Sequence, residues 1–167
     1  MFQTDTNLQS AFAQECQAYV RYLLFASIAE KEGCPEARRL FRTAAEGELA
    51  HARNHFTVMG GIGNTKSNLL AAATTGQSTT TSLYPGFLVQ AQEDRNENAR
   101  ISFDWACRAD KNHNALFEKA YQEFKKTQKL EPEKYSYCSN CGNLFAGPAP
   151  AACEICKASG DKIKETG

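Results

Sequence analysis

The sequence has no excess of charge of either sign and no long apolar run. Its 19 Lys and Arg residues balance 19 Asp and Glu residues, so the composition gives no sign of a nucleic-acid-binding surface or of an acidic tail. No stretch approaches the ~18 consecutive apolar residues typical of a membrane-spanning helix. The first residues also lack the basic segment and apolar run of a signal peptide. These absences favour a cytoplasmic protein with no nucleic-acid or membrane partner.

The chain instead combines a long helical region with a cysteine-rich tail. Its 167 residues, 42% of them hydrophobic, suit one domain of ordinary size with a small appendage. We predict a four-helix bundle over residues 1–130 and a small metal-stabilised β domain over 131–167.

Four of the seven cysteines form two C-x-x-C pairs in the tail, Cys138 with Cys141 and Cys153 with Cys156. In a reducing cytosol such a set is typical of metal binding rather than of disulfides. Each pair can direct two thiolates at one ion, and together they complete a tetrahedral S4 site for Fe or Zn. Because so short a tail buries little apolar surface, the metal is expected to supply much of its stability. The remaining cysteines lie on helical patterns and are interpreted as inert small residues: Cys16, Cys34 and Cys107.

Upstream of residue 130 the apolar residues recur at helical spacing. We expect an all-α bundle whose helices occupy about 5–32, 36–59, 67–93 and 97–129.

Two of these helices carry an acidic residue followed three positions later by a histidine, both on the inward-facing stripe. The pairs are Glu48 with His51 and Asp110 with His113, and Glu15 lies on the inward stripe of the first helix. A carboxylate buried alone is costly, so it tends to be paired, neutral or bound to metal. Facing helices that carry such pairs build carboxylate-rich metal sites in bundles. The pattern therefore predicts metal ligands at all five positions.

The third helix contains an unusual run, because the residues from Thr74 to Ser82 are almost all Thr, Ser or Gly. That composition is typical of a linker. The helical spacing nevertheless continues through it, from Leu69 to Phe87. Each Thr, Ser or Gly weakens a helix by several tenths of a kcal/mol relative to Ala, and Pro85 is expected to introduce a kink. We predict one helix here, the least stable of the four.

Five stretches, in this order, resemble the rubrerythrin family: AFAQECQAYVRY, AAEGELAHARNHF, NLLAAA followed by SLYPGF, ADKNH, and YCSNCG followed by CEIC. The resemblance implies a ferritin-like four-helix bundle followed by a rubredoxin-like domain with an FeS4 centre. It also implies a diiron site with Glu48 and Asp110 as bridging carboxylates, flanked by Tyr22 and Tyr84. Asp110 stands where the family usually has Glu, so its carboxylate reaches one methylene less far.

The chain departs from the family pattern in the third helix. Rubrerythrins carry two glutamates there, as E-x-x-E, just before Leu-Tyr-Pro, and Thr79 and Ser82 occupy those positions here. Five protein ligands thus remain where the family usually has seven. Glu93 and Glu97 lie about 20 Å or more further along a helix that rises ~1.5 Å per residue, so they do not substitute simply.

By resemblance, the expected activity is the reduction of hydrogen peroxide to water at two ferrous ions, as in defence against oxidative stress. Electrons would pass through the FeS4 centre from an NAD(P)H-dependent reductase. Family dimers place one chain's rubredoxin-like site near the other chain's diiron site, so we expect a homodimer or higher homo-oligomer. Helix pairs joined by residues 60–64 could be exchanged between its chains.

Two other functions remain open. The loss of both third-helix glutamates favours a non-catalytic or altered bundle that holds one metal ion or none, with the tail as an electron carrier or a structural zinc ribbon. The bundle class also allows iron storage or ferroxidase activity, but the C-x-x-C tail favours electron delivery.

Overall fold

The computed structural model describes residues 2–166, apart from the side chain of Ser78. Within these residues the α-helices are α1 (Gln3–Lys31), α2 (Pro35–Val58), α3 (Thr65–Ser78), α4 (Tyr84–Glu93) and α5 (Glu97–Thr127). The tail contains the strands β1 (Tyr135–Cys138), β2 (Leu144–Ala146) and β3 (Ile163–Glu165). No helix of the described part is both long enough and apolar enough to cross a membrane.

The chain divides into two compact units, Met1–Gly63 and Asn64–Gly167, and each is described by itself. The first contains α1 and α2, and the second contains the remaining helices together with the tail. The domain boundary predicted near residue 130 stays a prediction.

In the first unit, α1 and α2 pack against each other through small residues. Ala26 of α1 is 4% exposed and Ala45 of α2 is fully buried, and alanine lets two helix backbones approach closely. Phe12 of α1 and Phe56 of α2 stack with ring centroids 4.8 Å apart. Gly33, with a φ of 70°, makes the turn between the helices in the left-handed region that glycine enters without steric cost.

In the second unit, the Thr-rich run is helical, as predicted, but part of it has the wider geometry of a π-helix. Residues Thr79–Leu83 form this π segment between α3 and α4. Pro85 lies two residues beyond this segment; it has no N–H to donate, and its ring would clash with the carbonyl four residues earlier in a regular helix. The carbonyl of Thr80 accepts a hydrogen bond from the buried thiol of Cys107 on α5, at 3.7 Å. Because its turn is wider than that of an α-helix, the π segment gives Pro85 room in a helix that otherwise runs on from α3 into α4.

The tail is a three-stranded antiparallel sheet in the order β2-β1-β3. Its small core contains Cys138, Cys153 and Ile155, and Ala109 of α5 packs into the same cluster with only 1% of its surface exposed. Trp105, one turn earlier on α5, also packs against this cluster. The tail is thus docked on the helix that carries Asp110 and His113.

The close approach of α3 and α5 predicts a specific coupling between two residues. A Cβ added at Gly76 of α3 would collide with the side-chain amide of Asn114 on α5. Overpacking of this kind destabilises a protein by about 1–3 kcal/mol, whereas replacing a helical Gly by Ala stabilises the helix by about 1 kcal/mol. We expect Gly76→Ala to stabilise the protein by about 1 kcal/mol in an Asn114→Ala background, and to lose that benefit or destabilise in the wild type.

A double-mutant cycle on thermal unfolding, followed by circular dichroism, checks this coupling. Equal effects of Gly76→Ala in both backgrounds would show that the two side chains do not compete for space.

Candidate metal centres

The two C-x-x-C turns bring four sulfur atoms together at the end of β1. All four lie within 4.8 Å of one another. The Sγ atoms of Cys138 and Cys156 are 3.6 Å apart, and those of Cys141 and Cys153 are 3.5 Å apart. Four converging sulfur ligands are the donor set of a tetrahedral Fe or Zn site. The prediction that both C-x-x-C pairs direct their thiol groups at one common point is confirmed.

The two turns share one backbone geometry. The residue after the second cysteine of each pair is left-handed, with a φ of 79° at Gly142 and 61° at Lys157. Its N–H donates to the carbonyl of the first cysteine, at 2.8 Å in the first turn and 3.0 Å in the second. The sequence indicated a left-handed backbone conformation at Gly142 but not at Lys157, because a lysine gives no signal for positive φ.

Backbone N–H groups also point at the sulfur atoms. Burial raises the pKa of the Cys141 thiol, although the N–H of Asn143 donates to its sulfur. Burial would also raise the pKa of Cys156, but hydrogen bonds from the Asn140 side chain and the Ala158 N–H outweigh it and lower that pKa to about 6. Such donors stabilise thiolates, the form that binds metal. These sulfur environments therefore suit a bound ion.

A second cluster lies in the α1–α2 unit. Ligand atoms of Glu15, Glu48 and His51 all lie within 4.8 Å of one another. Nδ1 of His51 is 3.2 Å from Oε2 of Glu48, one helical turn earlier. The Glu48 side chain is 20% exposed and that of His51 is 59% exposed, so the site is open to solvent on its histidine side. Two carboxylates and one imidazole form an open, oxygen-rich donor set that suits Fe.

The second acid–histidine pair lies on α5. Nδ1 of His113 is 3.4 Å from Oδ1 of Asp110, and both side chains are partly buried. Nε2 of His113 is 2.9 Å from the carbonyl oxygen of Gly142 and can donate its hydrogen only to that acceptor. In a neutral ring with that hydrogen bond, the lone pair is on Nδ1, beside the Asp110 carboxylate. Histidines that bind metals usually donate their other N–H in this way, so the pair fits a metal.

The third helix supplies no carboxylate, as the sequence indicated. Thr79 is half-buried, and its hydroxyl donates to the carbonyl of Thr75 in its own helix, at 3.4 Å. Ser82 is exposed. Neither residue therefore replaces the missing acidic side chains.

The two predicted flanking tyrosines lie in different surroundings. The ring of Tyr22 stacks on Phe41, with centroids 6.3 Å apart, and also contacts Phe25. Burial, followed by the charges of Asp110 and Cys107, raises the pKa of Tyr84, so its phenol stays protonated at neutral pH.

The structure thus brings the tail cysteines together as one set and divides the other predicted ligands between the two units. Glu15, Glu48 and His51 belong to the first unit, whereas Asp110 and His113 belong to the second. Their roles as metal ligands stay predictions. Sequence reasoning missed the polar residues that dock the tail on α5: Asn112, Asn143 and Glu154.

Comparisons with known proteins show what the chain is similar to. The family model described as Rubrerythrin matches residues 6–121. Rubrerythrin-1 of Clostridium acetobutylicum is 28% identical, with 92% of this chain and 89% of the relative covered. Rubrerythrin of Porphyromonas gingivalis is 31% identical, with coverage of 92% and 84%. Nigerythrin of Nitratidesulfovibrio vulgaris is 28% identical, with coverage of 92% and 81%.

Solved structures of nigerythrin also resemble the chain. The partially reduced state aligns with a TM-score of 0.59 and 26% sequence identity, over 99% of this chain and 88% of the nigerythrin chain. A structure described as the fully reduced, all-ferrous state gives the same TM-score, identity and coverage.

The thiol environment predicts how metal binding at the four cysteines depends on pH. The metal binds thiolates, so any proton still on a ligand must leave when the metal enters. Below about pH 6 the Cys156 thiol holds a proton that it has lost at higher pH. We therefore expect Zn²⁺ affinity to fall as pH drops, and to fall more steeply below about 6. Competition with a chelating dye, measured on either side of this pH, gives the affinity.

Two variants control this measurement. Cys34→Ala, which changes an exposed cysteine outside the set, should keep the wild-type profile, whereas Cys156→Ser should weaken binding and lose the steeper part. An affinity that does not change with pH would contradict thiolate ligation.

Proposed function

Because this chain belongs to the rubrerythrin family, we propose that it is a non-haem iron oxidoreductase that reduces hydrogen peroxide to water with electrons relayed through the four-cysteine site. The family is known for diiron and rubredoxin-like sites. The predicted fold class, a ferritin-like four-helix bundle with a small rubredoxin-like β domain, is confirmed. Peroxide as the substrate follows from the family resemblance.

The donor sets support iron as the metal. Carboxylates and imidazole at Glu15, Glu48 and His51 suit Fe, and four thiolates suit Fe or Zn. Iron in the similar nigerythrin structure, which is described as all ferrous, favours Fe for this chain as well. When bound, the iron ions supply the redox chemistry: two electrons and two protons convert one peroxide into two molecules of water.

The observation that carries the proposal is the position of His113 between two candidate sites. Its Nδ1 faces Asp110 at 3.4 Å, and its Nε2 lies 2.9 Å from the carbonyl of Gly142, the residue that follows Cys141. One imidazole ring therefore joins a bundle ligand pair to the cysteine site by a single hydrogen bond. In our proposal, this bond fixes the ring and provides a covalent and hydrogen-bonded route between the two sites.

Tyr84 has a separate role in the proposal. Burial and then the charge of Asp110 raise the pKa of a phenol that is already protonated at neutral pH. A protonated phenol can donate a hydrogen bond to an oxygen held at the bundle site. By resemblance, Tyr22 would flank the site, and Glu48 and Asp110 would be its bridging carboxylates.

The proposal includes partners and a location. We infer a homodimer or higher homo-oligomer, in which exchanged helix pairs could combine the ligands of one chain's α1–α2 unit with Asp110 and His113 of another chain. An NAD(P)H-dependent reductase would supply the electrons. The protein would work in the cytoplasm, without nucleic acid or membrane.

One observation favours a second function. The hydroxyl of Thr79 is already bonded within its own helix, and Ser82 is exposed, so two ligand positions of the family lack a replacement. A bundle with one metal ion or none, and a tail that carries electrons or binds Zn as a structural element, would fit this loss.

Iron content and peroxide consumption distinguish the two functions. The enzyme should bind about three irons per chain, two in the bundle and one at the cysteines, when it is loaded without air. We expect the reduced protein to consume peroxide, and a Glu48→Ala, His51→Ala variant to do so about tenfold more slowly or worse, because two ligands are lost.

Glu46→Ala is the matched control, since Glu46 is exposed on the same helix and lies outside the ligand cluster. A single iron that is lost when Cys138 and Cys141 are replaced, with equal peroxide rates in all variants, would exclude the enzyme.

Restoring the missing carboxylates tests the third helix directly. Thr79→Glu with Ser82→Glu returns two oxygen ligands to the family positions and should raise iron retention in the bundle. Iron per chain after passage over a chelating resin measures the effect. Thr74→Glu with Thr81→Glu adds the same charge at two exposed positions and should not raise retention. Equal gains in both double variants would show that charge alone attracts the iron.

A further inference from the structure

An amide network joins α5 to both C-x-x-C turns, beside His113. Asn143, two residues after Cys141, is fully buried. Its Oδ1 accepts a 2.8 Å hydrogen bond from Nδ2 of Asn112 on α5. The same Nδ2 donates to Oε1 of Glu154, the residue after Cys153, at 3.1 Å. One side chain of the helix therefore holds a residue from each turn.

The network is closed. Nδ2 of Asn143 donates to the same Oε1 of Glu154, at 3.4 Å, so the three side chains form a triangle. A buried amide that loses a partner costs the desolvation of that group. Without Asn112, the buried Oδ1 of Asn143 would lose the hydrogen bond that it receives from α5.

The backbone of Asn143 extends this network to the sulfur atoms. Its N–H donates to the sulfur of Cys141, and its carbonyl accepts from the N–H of Cys138 at 2.8 Å. Hydrogen bonds to thiolate sulfur atoms are among the features that set the reduction potential of an iron–sulfur site. They withdraw electron density from the sulfur and so favour the ferrous state, which carries one more negative charge.

We propose that Asn112 is a positioning residue for the four-cysteine site. It holds Asn143 so that the N–H of this residue stays directed at the Cys141 sulfur, and it thereby raises the reduction potential of iron bound there. The inference rests on the proposed function only in that the site accepts iron. It requires neither peroxide as substrate nor a complete bundle site.

The test is the reduction potential of the iron-loaded protein, followed by the visible absorption of the FeS4 centre. Asn112→Ala should lower the potential by an amount equal to an about three- to tenfold shift of the ferric–ferrous equilibrium, as expected for one weakened hydrogen bond. Asn112→Asp keeps the shape but removes both N–H donors and adds a negative charge beside Glu154. It should lower the potential further.

Asn114→Ala is the matched control, because it removes an amide from the same helix at a position that faces Gly76 on α3. It should leave the potential at the wild-type value. A wild-type potential in both Asn112 variants, or an equal shift in Asn114→Ala, would overturn the proposal. If Asn112→Ala does not retain iron while Asn114→Ala does, the loss itself supports the positioning role.

The same samples separate this inference from the proposed enzyme. If the Asn112 variants lower the reduction potential as expected but the wild-type protein does not consume peroxide, the peroxidase is refuted and the role of Asn112 stands. A four-cysteine site that takes up no iron when iron is supplied refutes both.

Discussion

The convergence of four thiol groups on one point is the interaction on which the tail depends. Its sheet has only three short strands, and its core holds few apolar side chains besides the cysteines themselves. The left-handed residues Gly142 and Lys157, and the N–H groups directed at sulfur, all serve to hold these thiols at metal-binding distance. Without an ion, the burial of several neighbouring thiols contributes little to folding, so tail and metal form one thermodynamic unit.

Because the tail docks on α5, this helix both packs against the tail core and carries two predicted metal ligands. Ala109 is small enough to let the tail core approach, while Asp110 and His113 belong to the candidate bundle site. The hydrogen bond from His113 to Gly142 requires the tail to keep its position on α5 to within a few tenths of an ångström. Any change that shifts the tail along the helix would therefore disturb the orientation of His113, a predicted metal ligand.

The sequence predicted those features that follow from spacing, and missed those that follow from tertiary contact. The acid and histidine at Glu48 and His51 share a helix face because of their three-residue separation, and the paired C-x-x-C turns define their own geometry. The π segment could not be distinguished from a regular helix, because one wider turn hardly changes the apolar pattern. Asn112 gave no signal, since a polar residue on a helix usually faces water, and Asn143 gave none because it lies in a loop, where polar residues are common. Only the contact between tail and helix gives these two side chains their partners.

The position of Trp105 has a consequence for how the protein can be observed. It is the only tryptophan of the chain, and it packs against the core that surrounds the cysteines. Its emission therefore reports on this one region without any label. Undocking of the tail would expose the indole to water, and a coloured ion at the sulfur atoms would quench it, so the chain carries its own optical probe for the occupancy and attachment of its smallest part.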